Sequence, residues 1–216
     1  TQTNDSQIRS SNHLTLEALF KSNGAQVLQM GPIIDDIDTI TNFFESSLKK
    51  ADIVVTTGGV SVGDYDFVQD VIKDRLKAKI LFHGVLIKPG LHILIALKDE
   101  KVIVALPGFA YSSTVTAILY VLPLIFKFRK ANQSLPIVKA RINQDLKRTQ
   151  DETIFTACNV EYKNGEYIID FVGKKSGTSA ILTNMLGNPA LLIQNQDSLD
   201  IKSGDLVDII LLNNLK

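Results

Sequence analysis

The 216 residues include a single cysteine, no excess of either charge, no long uncharged apolar run and no internal repeat. One cysteine, Cys158, cannot close an intrachain disulfide, and a reducing, cytoplasmic location is expected. Cys158 stands in the apolar run IFTACNV and reads as a buried small hydrophobe rather than a nucleophile. The 23 basic side chains balance the 23 acidic ones. Extended contact with a nucleic-acid backbone draws on a basic excess, so no nucleic-acid partner is expected, although a locally basic pocket for a small anion is compatible with neutrality. No stretch reaches the roughly 18 uncharged apolar residues of a membrane span, and the longest apolar run, 115–126, is interrupted by Pro123. The opening segment TQTNDSQIRSSN is polar, without the basic-then-apolar order of a signal peptide. A start at Thr1 reads as a fragment or a processed chain.

At this length one large or two modest domains can each bury a core. The first 130 residues alternate helical and strand patterns. Ser10 or Ser11 suits an N-cap for a helix through Leu14, Leu16, Leu19 and Phe20, ended by Gly24. AQVLQM (25–30) reads as a short strand. Asp35 or Asp36 caps a second helix, in which Ile37, Ile40, Phe44 and Leu48 form one stripe. DIVVTT (52–57) is a β-branched run of the kind covered on both faces. A third helix carries Phe67, Val71, Ile72 and Leu76. AKILFHGVLI (78–87), HILIAL (92–97) and KVIVAL (101–106) read as strands, and a long apolar helix follows from about Ser112 to Phe128, with Pro123 as a kink. The order predicts an α/β fold: an open, mostly parallel, MogA-like sheet with helices on both faces.

After Lys130 the pattern changes. ANQSLP reads as a linker, and short alternating segments follow: IVKARI, TIFTACNVEY, YIIDFVG, ALLIQ and LVDIILL. Asn164-Gly165 is a strong hairpin signal. The expected division is an α/β domain at 1–130 and a small β-barrel-like or sandwich domain at 131–216.

The chemistry concentrates after DIVVTT, in Gly58-Gly59-Val60-Ser61-Val62-Gly63-Asp64-Tyr65-Asp66. Glycines let backbone N–H groups approach an anion, and the next helix adds its dipole. Thr57 and Ser61 add hydroxyls. Asp64 and Asp66 repel a phosphate unless Mg²⁺ lies between, so the combination suits metal-assisted chemistry on a phosphate ester or pyrophosphate. A plain strand-to-helix turn capped by Asp64 or Asp66 uses the same residues. Lys88 in Ile87-Lys88-Pro89-Gly90 supplies a point charge, or is an ordinary turn lysine. Leu106-Pro107-Gly108-Phe109-Ala110 opens the long helix and offers a weak anion seat. His13, His83 and His92 have no metal-ligand spacing.

Taken together, IRSSN (8–12), DIVVTTGGVSVGDYDFV (52–68), IKPG (87–90), ALPGFAYSS (105–113), SGTSAILTNML (176–186) and IKSGDLVDIILL (201–212) resemble the molybdopterin molybdenumtransferase family, of the MoeA and gephyrin E-domain type. The resemblance implies a C-terminal half, without the family's upstream regions and first strand, from a homodimeric enzyme of about 400 residues. It implies insertion of molybdenum from molybdate into adenylylated molybdopterin, with Mg²⁺ and release of AMP. Thr57, Gly58, Gly59, Ser61 and Gly63 would then hold the phosphates. Asp64 and Asp66 would organise Mg²⁺, and Lys88, with Pro89 and Gly90, would neutralise charge beside them. Ser11, Asn12, Pro107 and Gly108 would line the pocket, and Ser179 would approach molybdate.

The chain departs from the family where positive charge is usual: Gly84 and Leu91 replace lysines, Thr156 falls near an arginine, His92 replaces a proline, and Phe109-Ala110 replaces Asn-Pro. Each lost basic contact to a buried anion costs about 1.5–3 kcal/mol. The alternative is therefore a diverged, non-catalytic paralogue that binds a pterin or nucleotide, or scaffolds a partner.

Overall fold

A computed structural model describes residues 11–60, 67–148, 151–175 and 179–213. Helix α1 (Asn12–Ser22) and helix α2 (Ile37–Leu48) precede strand β1 (Ile53–Thr57). Of the two candidates, Asp36 caps α2, its carboxylate accepting from Thr39 N at 2.8 Å. Helix α3 (Phe67–Asp70) continues as a π-helical turn over Val71–Arg75. Strands β2 (Lys79–His83), β3 (Ile87–Lys88), β4 (Leu94–Lys98) and β5 (Lys101–Leu106) follow.

The first sheet has the order β1-β5-β4-β2, and of its neighbouring pairs only β1 with β5 is parallel. The mostly parallel sheet expected from the sequence is therefore replaced by a mixed one. The cause is local. Asp99 and Glu100 form a tight turn, with Asp99 at φ 54°, which folds β5 back antiparallel on β4. At Gly84 (φ 84°) the apolar run 78–87 also breaks. Its first half stays in this sheet, and its second half leaves as β3 to pair with a strand of the other sheet. The segment 25–30 forms no strand: Ala25 and Val27 pack on the core, while Leu28 and Met30 are exposed.

Helices do cover both faces. Ile40, Phe44, Val71 and Ile72 pack with Val54, Leu94 and Ile103 on one side. On the other, Leu16, Phe20, Val115, Ile118 and Leu122 pack with Ile93, Val102 and Val104. This second layer is built by helix α4 (Ala110–Thr116), a π-helical turn at Ala117–Val121 and helix α5 (Leu122–Phe128). Together they span Ala110–Phe128, apolar and long enough for a membrane crossing, but mostly buried inside the protein as a core helix. The π turn lies immediately before Pro123, where the proline ring crowds the preceding turn and the chain lacks an N–H; widening the turn absorbs this without ending the helix.

The remaining strands are β6 (Ile137–Ile142), β7 (Thr153–Lys163), β8 (Glu166–Asp170), β9 (Pro189–Gln194) and β10 (Leu206–Leu211). Their pairing runs β7-β8-β6-β10-β9 and returns to β7, closing a five-stranded barrel to which β3 adds along β7. The Asn164-Gly165 turn joins β7 to β8 with both residues at positive φ (53° and 87°), the geometry that matches strand twist. Alternation sorts the side chains. Cys158, Val160, Leu192 and Ile209 fill the barrel, while Phe155, Ala157, Leu191 and Ile210 join the core beneath α4 and α5.

Candidate functional site

Because β1, β5 and β2 point one way and β4 the other, Thr57, Leu106, His83 and the start of β4 share one rim of the first sheet. Crevices of α/β sheets open at such rims. Here the two loops singled out from the sequence meet. Gly58 N donates to Leu106 O at 2.9 Å, and Gly58 and Gly59 take φ 87° and 70°. A Cβ built on Gly108 would stand 3.5 Å from Gly58 Cα, so the two turns lie in contact. Asn12, the first residue of α1, is buried and donates from Nδ2 to Gly108 O at 2.8 Å. Three separate segments thus converge on Gly58 and Gly108. Ser11 precedes α1, and its hydroxyl makes no capping bond. The Thr57 side chain is exposed at the strand end, and Thr56 Oγ1 is buried without a partner.

Lys88 lies in β3, held beside Ile154 of β7, and is half-buried. Pro89 follows, then Gly90 at φ 120°, where a Cβ would come within 2.4 Å of Thr116 Cγ2. The Lys88–Gly90 turn is therefore pressed against the side of α4, whose amino end starts from Pro107-Gly108. Ser179 reaches that same end: its carbonyl accepts from Tyr111 N at 3.1 Å and from Ser112 N at 3.2 Å. Two of the amide donors that make a helix start attractive to an anion are thus engaged by the protein itself.

Ser61, Gly63, Asp64 and Asp66 lie outside the described residues. Among the described residues no group of three or more His, Cys, Asp or Glu is placed to hold a metal. His83 Nε2 is buried without a hydrogen-bond partner. At the departures, Gly84 takes a positive φ that a lysine adopts only at a cost of about 1 kcal/mol. Thr156 pairs with Leu192 inside the barrel wall. Phe109 and Leu91 leave 65% and 41% of their surface exposed near this rim.

Cys158 is fully buried, with Sγ directed to Ala190 O at 3.4 Å, and burial pushes its thiol up to about 12. That is the environment of an inert core cysteine.

Tyr111 and Asn184 carry no role in the reading of the sequence, although both sit in the motifs quoted above. The Tyr111 hydroxyl donates to Phe155 O at 3.1 Å and accepts from Ala157 N at 2.9 Å. It bridges the stretch of β7 between the residues paired with β3 and those paired with β8. Burial pushes its pKa well up.

Comparison with known proteins shows the family. Residues 1–127 match the family model described as a probable molybdopterin binding domain, and the chain belongs to that family. It is similar to molybdopterin molybdenumtransferase of Staphylococcus epidermidis, 30% identical over 207 residues that make up 95% of this chain and 48% of the relative. The protein of the same name from Staphylococcus aureus is 31% identical over 209 residues, 96% of this chain and 49% of its own. A molybdopterin biosynthesis moeA protein from Pyrococcus horikoshii OT3 superposes with TM-score 0.72 at 25% identity, over 96% of this chain and 47% of that one. The chain spans about half the length of the curated relatives it matches.

Proposed function

We propose that this chain acts in molybdenum cofactor biosynthesis, as the part of a molybdopterin molybdenumtransferase that holds adenylylated molybdopterin while molybdenum is inserted from molybdate and AMP is released. The observation that carries the proposal is the contact of the Gly58-Gly59 turn with Gly108 at the strand-end rim, fastened by Asn12. Backbone groups without side chains on both turns leave room for a bulky phosphorylated ligand to lie against the main chain. Thr57, Gly58, Gly59, Ser61 and Gly63 would bind the phosphates, with Ser11, Asn12, Pro107 and Gly108 lining the wall. Lys88, with Pro89 and Gly90 fixing its strand, would supply positive charge. Its ammonium forms no ion pair with a described residue.

Asp64 and Asp66 are hard oxygen donors of the type Mg²⁺ takes alongside phosphate oxygens and water. Bound there, Mg²⁺ would neutralise pyrophosphate charge during release of AMP. The remaining work falls to the chain: the rim orients the nucleotide, and Ser179 approaches the molybdate end. A homodimer containing the rest of the protein, in the cytoplasm, is part of the same proposal.

A second reading, a non-catalytic pterin- or nucleotide-binding or scaffolding module, is favoured by the uncharged residues at the positions where the chain departs from the family. Gly84, Leu91, Phe109 and Thr156 bring no cation, and two of them expose apolar surface instead. Turnover of radiolabelled adenylylated molybdopterin with molybdate and Mg²⁺, on the full-length protein, separates the two. The enzymatic reading expects AMP release that Asp64→Asn and Asp66→Asn each lower at least a hundredfold. No release, or release indifferent to both substitutions, leaves the binding module.

A further inference from the structure

Between β8 and β9 the chain makes an excursion that one buried side chain closes. Asn184 is 3% exposed, in the 3₁₀ turn Leu182–Met185. Its Oδ1 accepts from Lys175 N at 2.9 Å, and its Nδ2 donates to Lys175 O at 2.7 Å. The side-chain amide thus pairs with both backbone groups of one residue, as a neighbouring strand would. Beside it, Lys174 Nζ donates to Asn184 O at 2.8 Å and Leu186 O at 3.0 Å. The two ends of the excursion are therefore clasped, and from the segment between them Ser179 O reaches Tyr111 N and Ser112 N of α4. Only an amide fits the clasp: a carboxylate keeps the acceptor but lacks the donor, and alanine offers neither.

We propose that Asn184 is a positioning residue. It holds Ser179 against the amino end of α4, about one helical turn from Gly108, and so fixes how far Ser179 extends towards the rim. The proposal rests on the rim being the substrate site and Ser179 lying at the molybdate end.

Residue-resolved amide exchange by NMR on this chain tests the clasp apart from the function. With Asn184→Ala, exchange at the Tyr111 and Ser112 amides is expected to quicken at least tenfold, while that at Ala157 changes less than twofold. Asn184→Asp is expected to fall between. A folded Asn184→Ala chain with unchanged exchange at Tyr111 and Ser112 overturns the proposal. Should Asn184→Ala not fold, Lys174→Met decides instead, with about threefold faster exchange at the same two amides supporting the clasp and unchanged rates overturning it. In the full-length protein, Asn184→Ala is expected to raise KM for molybdate about tenfold and to keep the Kd for adenylylated molybdopterin within twofold. Equal weakening of both ligands refutes a positioning role. If the wild-type protein does not turn over, the proposed function fails, and the amide rates still judge the clasp.

Discussion

Glycine substitutions at the rim separate backbone strain from crowding. A methyl group at Gly90 meets Thr116 Cγ2 at 2.4 Å in a backbone held at φ 120°, so Gly90→Ala is expected to destabilise by about 3 kcal/mol in urea unfolding. Gly58 also has a positive φ, but no described residue comes within 4 Å of its would-be Cβ, so Gly58→Ala is expected to cost only about 1 kcal/mol. If ligand backbone contact occurs there, the same methyl weakens binding far more than it weakens folding. Asn12→Ala leaves Gly108 O without its donor, a loss of about 1–2 kcal/mol in the same assay. That Gly58, Gly59, Asn12 and Gly108 belong together was legible only through the family resemblance, because a plain strand-to-helix turn uses the same glycines. Asn184 was not. An asparagine in a polar loop signals a turn as readily as a clasp, and its partner Lys175 is a backbone, which has no sequence signature.

At the scale of elements, β7 shows how neighbours share one strand. Its edge is covered in turn by β3, by the Tyr111 hydroxyl and by β8. Tyr111→Phe strands a buried carbonyl and a buried N–H, and is expected to cost about 2–3 kcal/mol by urea unfolding while leaving the helical and strand content of the circular dichroism spectrum intact. Elements with local signals were readable: the aspartate cap and the stripe of α2, and the Asn164-Gly165 hairpin, although the choice between Asp35 and Asp36 was not. Strand direction in the first sheet was not. Buried strands of both orientations read as apolar runs, and the turn at Asp99-Glu100, the one signal for an antiparallel return, lacks the glycine that usually marks it. The split of 78–87 at Gly84 was likewise hidden, since its two halves are equally apolar yet serve different sheets.

For the molecule as a whole, the core under α4 and α5 takes residues from both sheets: Ile93 and Val104 from the first, Phe155, Leu191 and Ile210 from the barrel. Leu191→Ala is therefore expected to cost about 2–4 kcal/mol and to lower the stability reported by probes in both halves together. Titration of Cys158 acts on the same whole. Its folded pKa, raised from 9.0 to about 12, means that the unfolded chain loses the proton first as pH rises. Its contribution is fully present below pH 9 and lost between about 9 and about 12, which urea unfolding of wild type against Cys158→Ala across that range measures. Under the proposed function, Lys88 would be the cation on which anion binding most depends. Calorimetric titration of adenylylated molybdopterin into this chain, wild type against Lys88→Ala, addresses that dependence directly. Saturable binding that Lys88→Ala weakens at least tenfold, with unfolding unchanged, is the predicted result; no binding, or binding indifferent to Lys88, would contradict the assignment of the rim.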